Sequence, residues 1–139
     1  AGALSLMEDL PKFPLIITNG DVLTEVNYGE IIDFHDRNQA SATMAVFQHK
    51  WENPFGVVKL KGLTVEAFEE KPVIESFINA GIYVLQPAAL ACLKKGGHCD
   101  MPDFLQRLMN SGEEVNAYPI HESWIDIGRH KDLKSARQL

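Results

Sequence analysis

The chain has 139 residues, 45% of them hydrophobic, with 13 Lys and Arg against 19 Asp and Glu and a formal net charge of −6. This composition supports one domain with a single core and supplies no basic stripe to neutralise a nucleic-acid backbone. No apolar stretch is long enough for a helical membrane span, and Cys92 and Cys99 form neither a CxxC unit nor a disulfide framework. A soluble protein of the reducing cytoplasm is expected.

The first residues, AGALSLMEDLPKF, read as the end of a helix already under way, with Leu4, Leu6, Met7 and Leu10 apolar and Pro11 stopping it. No cap precedes them, so the sequence is expected to start inside a larger fold. Leu15 to Thr18 reads as a buried strand. Tyr28, Ile31, Ile32 and His35 then fall on one face of a helix ending near Asn38.

SATMAVFQ, residues 41–48, is a second strand. Residues 54–72, PFGVVKLKGLTVEAFEEKP, read as a hairpin, with Gly56 to Leu60 going out, a turn at Lys61-Gly62, and Thr64 to Phe68 returning. FINAGIYVL is another apolar strand, after which Pro87 opens the helix PAALACL. In DMPDFLQRLMNSG, Asp100 can cap a helix whose apolar face is Phe104, Leu105, Leu108 and Met109, and Gly112 ends it. VNAYPI is a strand, and HESWIDIGRHKDLKSARQL reads as a polar loop followed by a terminal helix. Strands alternating with helices, plus one hairpin, predict a mixed α/β sheet with helices on its faces.

Several short stretches could carry chemistry. In LIITNGDVL, residues 15–23, an apolar run ends on an amide, a glycine and a carboxylate. Ligands of open α/β sheets bind beyond the carboxyl ends of strands. Asp21 is therefore a site candidate, with Gly20 permitting a close backbone approach or a positive φ, although for this stretch alone a strand-ending Asx turn is the plainer account. In WIDIG, residues 124–128, Asp126 lies between apolar neighbours just before a glycine, either half-buried with partners or pointed at a cation. Magnesium usually takes one or two carboxylates and fills its remaining positions with water and phosphates, so Asp21 and Asp126 would suffice if the fold joins them.

In FEEKP, residues 68–72, a bend at Pro72 would let Lys71 hold a phosphate as a point charge while Glu70 accepts hydrogen bonds from hydroxyls; a solvated strand end is the plainer alternative. Asn79-Ala80-Gly81 interrupts an apolar strand with small residues, as a bulge or a ligand-facing stretch would. Gly56 opens a strand that could approach a sugar ring, and Trp124 draws interest from its neighbour Asp126. Cys92, His98, Cys99 and Asp100 match no zinc spacing, and no nucleophile elbow or triad accompanies His35, His121, Ser41 or Ser123.

Taken in order, NGD, FGVV, FEEKP, NAGIYVL, DMPDFLQRL and WIDIG resemble the later part of a sugar-1-phosphate nucleotidylyltransferase, closest to mannose or heptose guanylyltransferases and glucose-1-phosphate thymidylyltransferases. The resemblance implies a Rossmann-like mixed α/β sheet with helices on both faces and a β-hairpin. The implied activity joins a nucleoside triphosphate to a sugar 1-phosphate and releases pyrophosphate. It implies Mg²⁺ on Asp21 and Asp126, the sugar phosphate on Lys71, sugar hydroxyls on Glu70, and Gly56, Asn79 and Trp124 around the sugar. No general base is implied, because the attacking phosphate is already ionised.

The family's G-G-x-G-T-R-L triphosphate loop does not occur in these residues, while Ala1-Gly2-Ala3-Leu4 resembles the end of its L-G-T-A-G-A-L segment. Residues 1–139 are thus expected to be a partial catalytic domain, inactive alone, from a cytoplasmic enzyme of cell-surface polysaccharide synthesis. Its expected partners are a nucleoside triphosphate and a sugar 1-phosphate, with no nucleic acid or membrane, and homo-oligomer formation is left open. A non-catalytic sugar-nucleotide-binding subunit of the same fold is the competing expectation.

Overall fold

The computed structural model describes residues 1–128. They divide into two compact units, one made by Ala1–Phe47 with the described residues from Asn79 onward, the other by Gln48–Ile78.

Strands β1 (Leu15–Thr18), β6 (Val73–Leu85), β3 (Ala42–Glu52) and β7 (Val115–Ile120) form one sheet in the order β1-β6-β3-β7, with Gln48–Glu52 of β3 and Val73–Ile78 of β6 belonging to the second unit. Strand β1 runs antiparallel to β6, and β3 runs parallel to β7, so the sheet is mixed as predicted. Alternation along the strands sends neighbouring residues to opposite faces. Tyr83 and Leu85 join Ala42, Phe104, Leu105 and Leu108 in one core, while Ile82 and Val84 join Ile31, Ala45 and Ile120 in another. Helix α3 (Met101–Asn110) and the short α2 (Pro87–Leu90) supply the first core, and α1 (Tyr28–Asn38) supplies the second.

Local chemistry explains where α1 starts and stops. The Asn27 carboxamide accepts from the Gly29 N–H at 3.0 Å, capping the helix, and donates to the Glu30 carboxylate at 3.1 Å, and Gln39 closes the helix in the left-handed region at φ 52°. Its inward face carries a fully buried His35, whose Nδ1 lies 2.8 Å from Thr43 Oγ1 and whose Nε2 lies 3.0 Å from the Gln86 amide nitrogen. An amide nitrogen can only donate, so Nε2 accepts and Nδ1 bears the proton. Burial lowers the His35 pKa, with nearby Asp36 opposing that effect in part.

The second unit contains the hairpin of β4 (Val57–Lys61) and β5 (Thr64–Glu69), turned at Gly62 with φ 62° and interrupted by a register shift between Lys59 and Leu60. Val57 pairs with Glu69 and Lys61 with Thr64, close to the expected limits. Within this unit Glu75 receives the Lys50 ammonium at 2.6 Å and the Gln48 carboxamide at 2.9 Å.

Several expectations need correction. The opening segment is a 3₁₀ turn over Gly2–Leu6, not an α-helix; Met7 is already extended, and of the apolar stripe Leu4 packs on the first core while Leu6, Met7 and Leu10 are exposed. The turn instead braces the loop before α3, with Gly2 N–H on the Cys99 carbonyl at 2.8 Å and the Gly96 N–H on Ser5 Oγ at 3.1 Å. Cys99 is buried at the edge of the first core, whereas Cys92 is exposed. In α3 the buried face takes Met101 rather than Met109, which is exposed, and Asp100 occupies the capping position without a side-chain capping bond.

Helix α2 stops at Leu90, short of the expected PAALACL. The stretch read as a polar loop contains a strand, β8 (Trp124–Asp126), paired antiparallel with β2 (Val22–Thr24). The expected terminal helix lies outside the described residues. Among those residues no helix is long and apolar enough to cross a membrane.

Candidate active site

Strand β1 ends at Thr18, and Asn19-Gly20-Asp21 leads directly into β2. Pairing of β2 with β8 sets Val22 opposite Asp126, and the Ile127 N–H continues the ladder to the Asp21 carbonyl at 2.8 Å. Both aspartates are thereby fixed at the same end of one two-stranded ribbon. Their carboxylates meet over Gly128: a Cβ there would lie 2.7 Å from Asp21 Oδ2 and 3.0 Å from Asp126 Oδ1. The Gly128 N–H also donates to Asp126 Oδ1 at 2.9 Å, aiming that carboxylate. Only a residue without a side chain leaves this space to the oxygens. Among the described residues neither aspartate has an ion pair, and both carboxylates border the space over the Gly128 Cα.

Behind the ribbon, β6 is kinked at Asn79-Ala80-Gly81, where Gly81 has φ 73°. A Cβ at Gly81 would strike Asn19 Nδ2 at 2.8 Å and Val22 Cγ2 at 3.1 Å, so the glycine admits the loop that carries Asp21. The Asn19 N–H donates to the Gly81 carbonyl, and the Trp124 indole N–H to the Ala80 carbonyl, both at 2.8 Å. The Asn79 carboxamide accepts from the Gly81 N–H at 2.9 Å and donates to the Tyr83 hydroxyl at 2.7 Å. Trp124 stacks on Phe47 with ring centroids 5.3 Å apart. Gly20 does not have a positive φ, and its Cα faces open space, which leaves the other expected role, a close backbone approach, unobstructed; the glycines against which this loop packs are Gly81 and Gly128.

In the second unit, Gly56 and Glu70 face each other where the hairpin ladder ends: a Cβ on Gly56 would meet Glu70 Oε2 at 2.9 Å. Next to them Lys71 has φ 43°, a left-handed backbone that L side chains rarely adopt and that a following proline does not favour. The Asn53 N–H holds this bend by donating to the Pro72 carbonyl at 3.0 Å. The chain therefore turns sharply at Lys71-Pro72, as FEEKP suggested. Residues held in sparsely populated backbone regions cluster at ligand sites.

The whole chain, residues 1–139, matches the family profile described as Nucleotidyl transferase. The chain belongs to the nucleotidyl transferase family. It is 29% identical over its full length to mannose-1-phosphate guanyltransferase of Yarrowia lipolytica, covering 40% of that protein. It is also 32% identical over its full length to probable mannose-1-phosphate guanylyltransferase 2 of Oryza sativa subsp. japonica, again 40% of the relative. The chain thus spans less than half the length of these curated relatives. Among solved structures, a putative glucose-1-phosphate thymidylyltransferase from Bacillus anthracis superimposes with a TM-score of 0.68 at 21% identity, over 98% of this chain and 58% of that one. HddC from Yersinia pseudotuberculosis, complexed with GMP-PN, gives 0.66 at 19% identity, over 99% and 60%. These likenesses support the mixed α/β fold of the family.

Of the residues singled out in the sequence, the first unit brings together Asp21 and Asp126, with Asn79 on the adjoining kink and Trp124 bonded to it from β8, and the second brings together Gly56, Glu70 and Lys71. Sequence reasoning did not single out Gly128 or Asn19 individually, although both shape the ground around the two aspartates. The Asp-x-Gly spacing of WIDIG was a signal for Gly128, because a glycine two residues beyond a carboxylate can accept it over a bare Cα.

Proposed function

We propose that the protein containing this chain joins a nucleoside triphosphate to a sugar 1-phosphate, releasing pyrophosphate and leaving a nucleoside diphosphate sugar. The observation that carries this reading is the meeting of Asp21 and Asp126 over Gly128. In the reaction a sugar-phosphate oxygen attacks the α-phosphorus in line, a new P–O bond forms, and the bond from the α-phosphorus to the bridging oxygen breaks with its electrons on pyrophosphate. Two polyanions must approach each other, so the chain's task is positioning and offsetting charge.

The donor set at Gly128 fits magnesium, being two carboxylates on a glycine floor. Asp21 and Asp126 would hold the ion, and when bound it would supply positive charge to the phosphates. Lys71 holds the sugar phosphate as a point charge, on a backbone bend that fixes where its stem begins. In the second unit Glu70 accepts from sugar hydroxyls and Gly56 lets the ring approach it. Trp124 borders the same kink. No proton need be removed from an ionised phosphate, so no histidine is required.

The guanylyltransferase relatives favour GTP and mannose 1-phosphate as the first substrate pair, with dTTP and glucose 1-phosphate second. A cytoplasmic setting and a role in supplying activated sugar for cell-surface polysaccharide complete the reading. The 139 residues alone, without a glycine-rich triphosphate loop, are expected to give no turnover. The test is pyrophosphate release by the full-length protein with Mg²⁺ across both pairs. Turnover that Asp21→Asn or Asp126→Asn lowers by about 100-fold or more is expected, in line with losing a group that offsets transition-state charge. Undiminished turnover in both variants would refute it.

A further inference from the structure

We infer that Trp124 is a positioning residue for the paired carboxylates, acting through the backbone of the Asn79-Ala80-Gly81 kink; this rests on the metal-binding reading of Asp21 and Asp126 proposed above. Both carboxylate-bearing segments are tied to consecutive carbonyls of that kink. The Asn19 N–H reaches the Gly81 carbonyl and the Trp124 indole N–H reaches the Ala80 carbonyl, each at 2.8 Å. Asp21 stands two residues beyond the first tie, and Asp126 two residues beyond the second. In a strand, residues two apart share a face, so the direction of Trp124 and that of Asp126 are set together.

The ribbon needs such ties. It has three residue pairs, Val22 with Asp126, Leu23 with Ile125 and Thr24 with Trp124, and a two-stranded ribbon that short is not stable by itself. The kink, in contrast, sits where β6 becomes fully buried, and Asn79 locks it from both ends through the Gly81 N–H and the Tyr83 hydroxyl. Trp124 thus couples a weak element to a rigid one. Ring packing on Phe47 could bury the side chain without fixing its rotation, whereas the N–H bond to a backbone carbonyl fixes both. Partners of this kind, which hold a metal ligand in place without touching the metal, commonly govern affinity by about 10- to 100-fold.

The test is Mn²⁺ binding followed by water-proton relaxation, on the wild-type chain and three variants. Trp124→Phe keeps a ring against Phe47 but has no N–H; Phe47→Leu keeps the N–H bond and loses the stacking; Asp126→Asn removes a ligand. Trp124→Phe is expected to weaken Mn²⁺ binding about 10-fold, while Phe47→Leu stays close to wild type even if both lower the melting temperature. Equal weakening in the two variants would show that the ring only packs, overturning the inference. Wild-type affinity in Trp124→Phe would do the same while leaving the metal reading intact. Wild-type binding no stronger than that of Asp126→Asn would overturn the metal reading, and this inference with it. If Trp124→Phe does not fold, replacing Trp124 with benzothienylalanine preserves the bicyclic shape and deletes only the donor.

Discussion

The backbone N–H of Ile127 donates to the carbonyl of Asp21 at 2.8 Å, holding the segment after Asp126 against the loop before β2. The two carboxylates then share the bare Cα of Gly128, whose φ is not in the positive region. Gly128→Ala should therefore be tolerated by the backbone but drive a methyl group into Asp21 Oδ2 and Asp126 Oδ1. Folding should persist, with Mn²⁺ affinity and turnover falling about 10-fold or more. Gly20→Ala, which meets nothing within 4 Å, serves as the matched control and should behave as wild type. Metal titration of the two variants checks the contrast.

At Lys71 strain and function oppose each other. A left-handed backbone costs an L residue about 1–2 kcal/mol, and glycine would relieve it, less the entropy glycine loses on folding. Lys71→Gly should leave stability near wild type or slightly higher, whereas Lys71→Ala should gain nothing from relief of strain. Both should raise the KM for the sugar 1-phosphate about 10-fold or more, since a charge-assisted bond to phosphate is lost. Thermal melts beside substrate titrations of the full-length protein separate the two effects.

His35 is buried and neutral, and its folded-state pKa is lowered below the ordinary value of 6.5 by burial. The unfolded chain therefore binds the proton more readily. The stability contribution is present above the unfolded pKa and is lost as pH falls from there through the folded pKa. Urea midpoints should drop as the pH falls through and below the unfolded value of 6.5, and His35→Gln should reduce that drop relative to wild type. An unchanged pH slope in the variant would refute the reading.

Helix α3 offers a direct contrast in the first core. Phe104 is 1% exposed, so Phe104→Ala should cost about 3–5 kcal/mol. Met109 is 46% exposed, and Met109→Ala should cost far less, about 0.5 kcal/mol. Denaturant unfolding of the two variants measures the difference.

The elements legible in the sequence were those whose two faces differ or whose ends carry turn chemistry. Ile31 and His35 mark the inner face of α1, Pro102 and Gly112 bracket α3, and Gly62 marks the hairpin turn. The outer parts of β3 and β6 were not legible, because His49–Glu52 and Val73–Ser76 are exposed throughout and leave no alternation to detect. Strands β2 and β8 were missed for a related reason: three-residue strands give too short a pattern, and their pairing joins distant parts of the chain. Asp21 and Asp126 could be named as site candidates from their local context. That they meet follows from the β2–β8 register, which spacing alone does not encode.

The contrast between Cys92 and Cys99 gives the chain an internal clock. A thiol reagent added to the native protein should modify exposed Cys92 at once and Cys99 only when the first core opens. Because Gly2 is bonded to the Cys99 carbonyl, the slow phase also reports release of the opening 3₁₀ turn. Labelling half-times would thus time the breathing of one face of the sheet without any engineered probe.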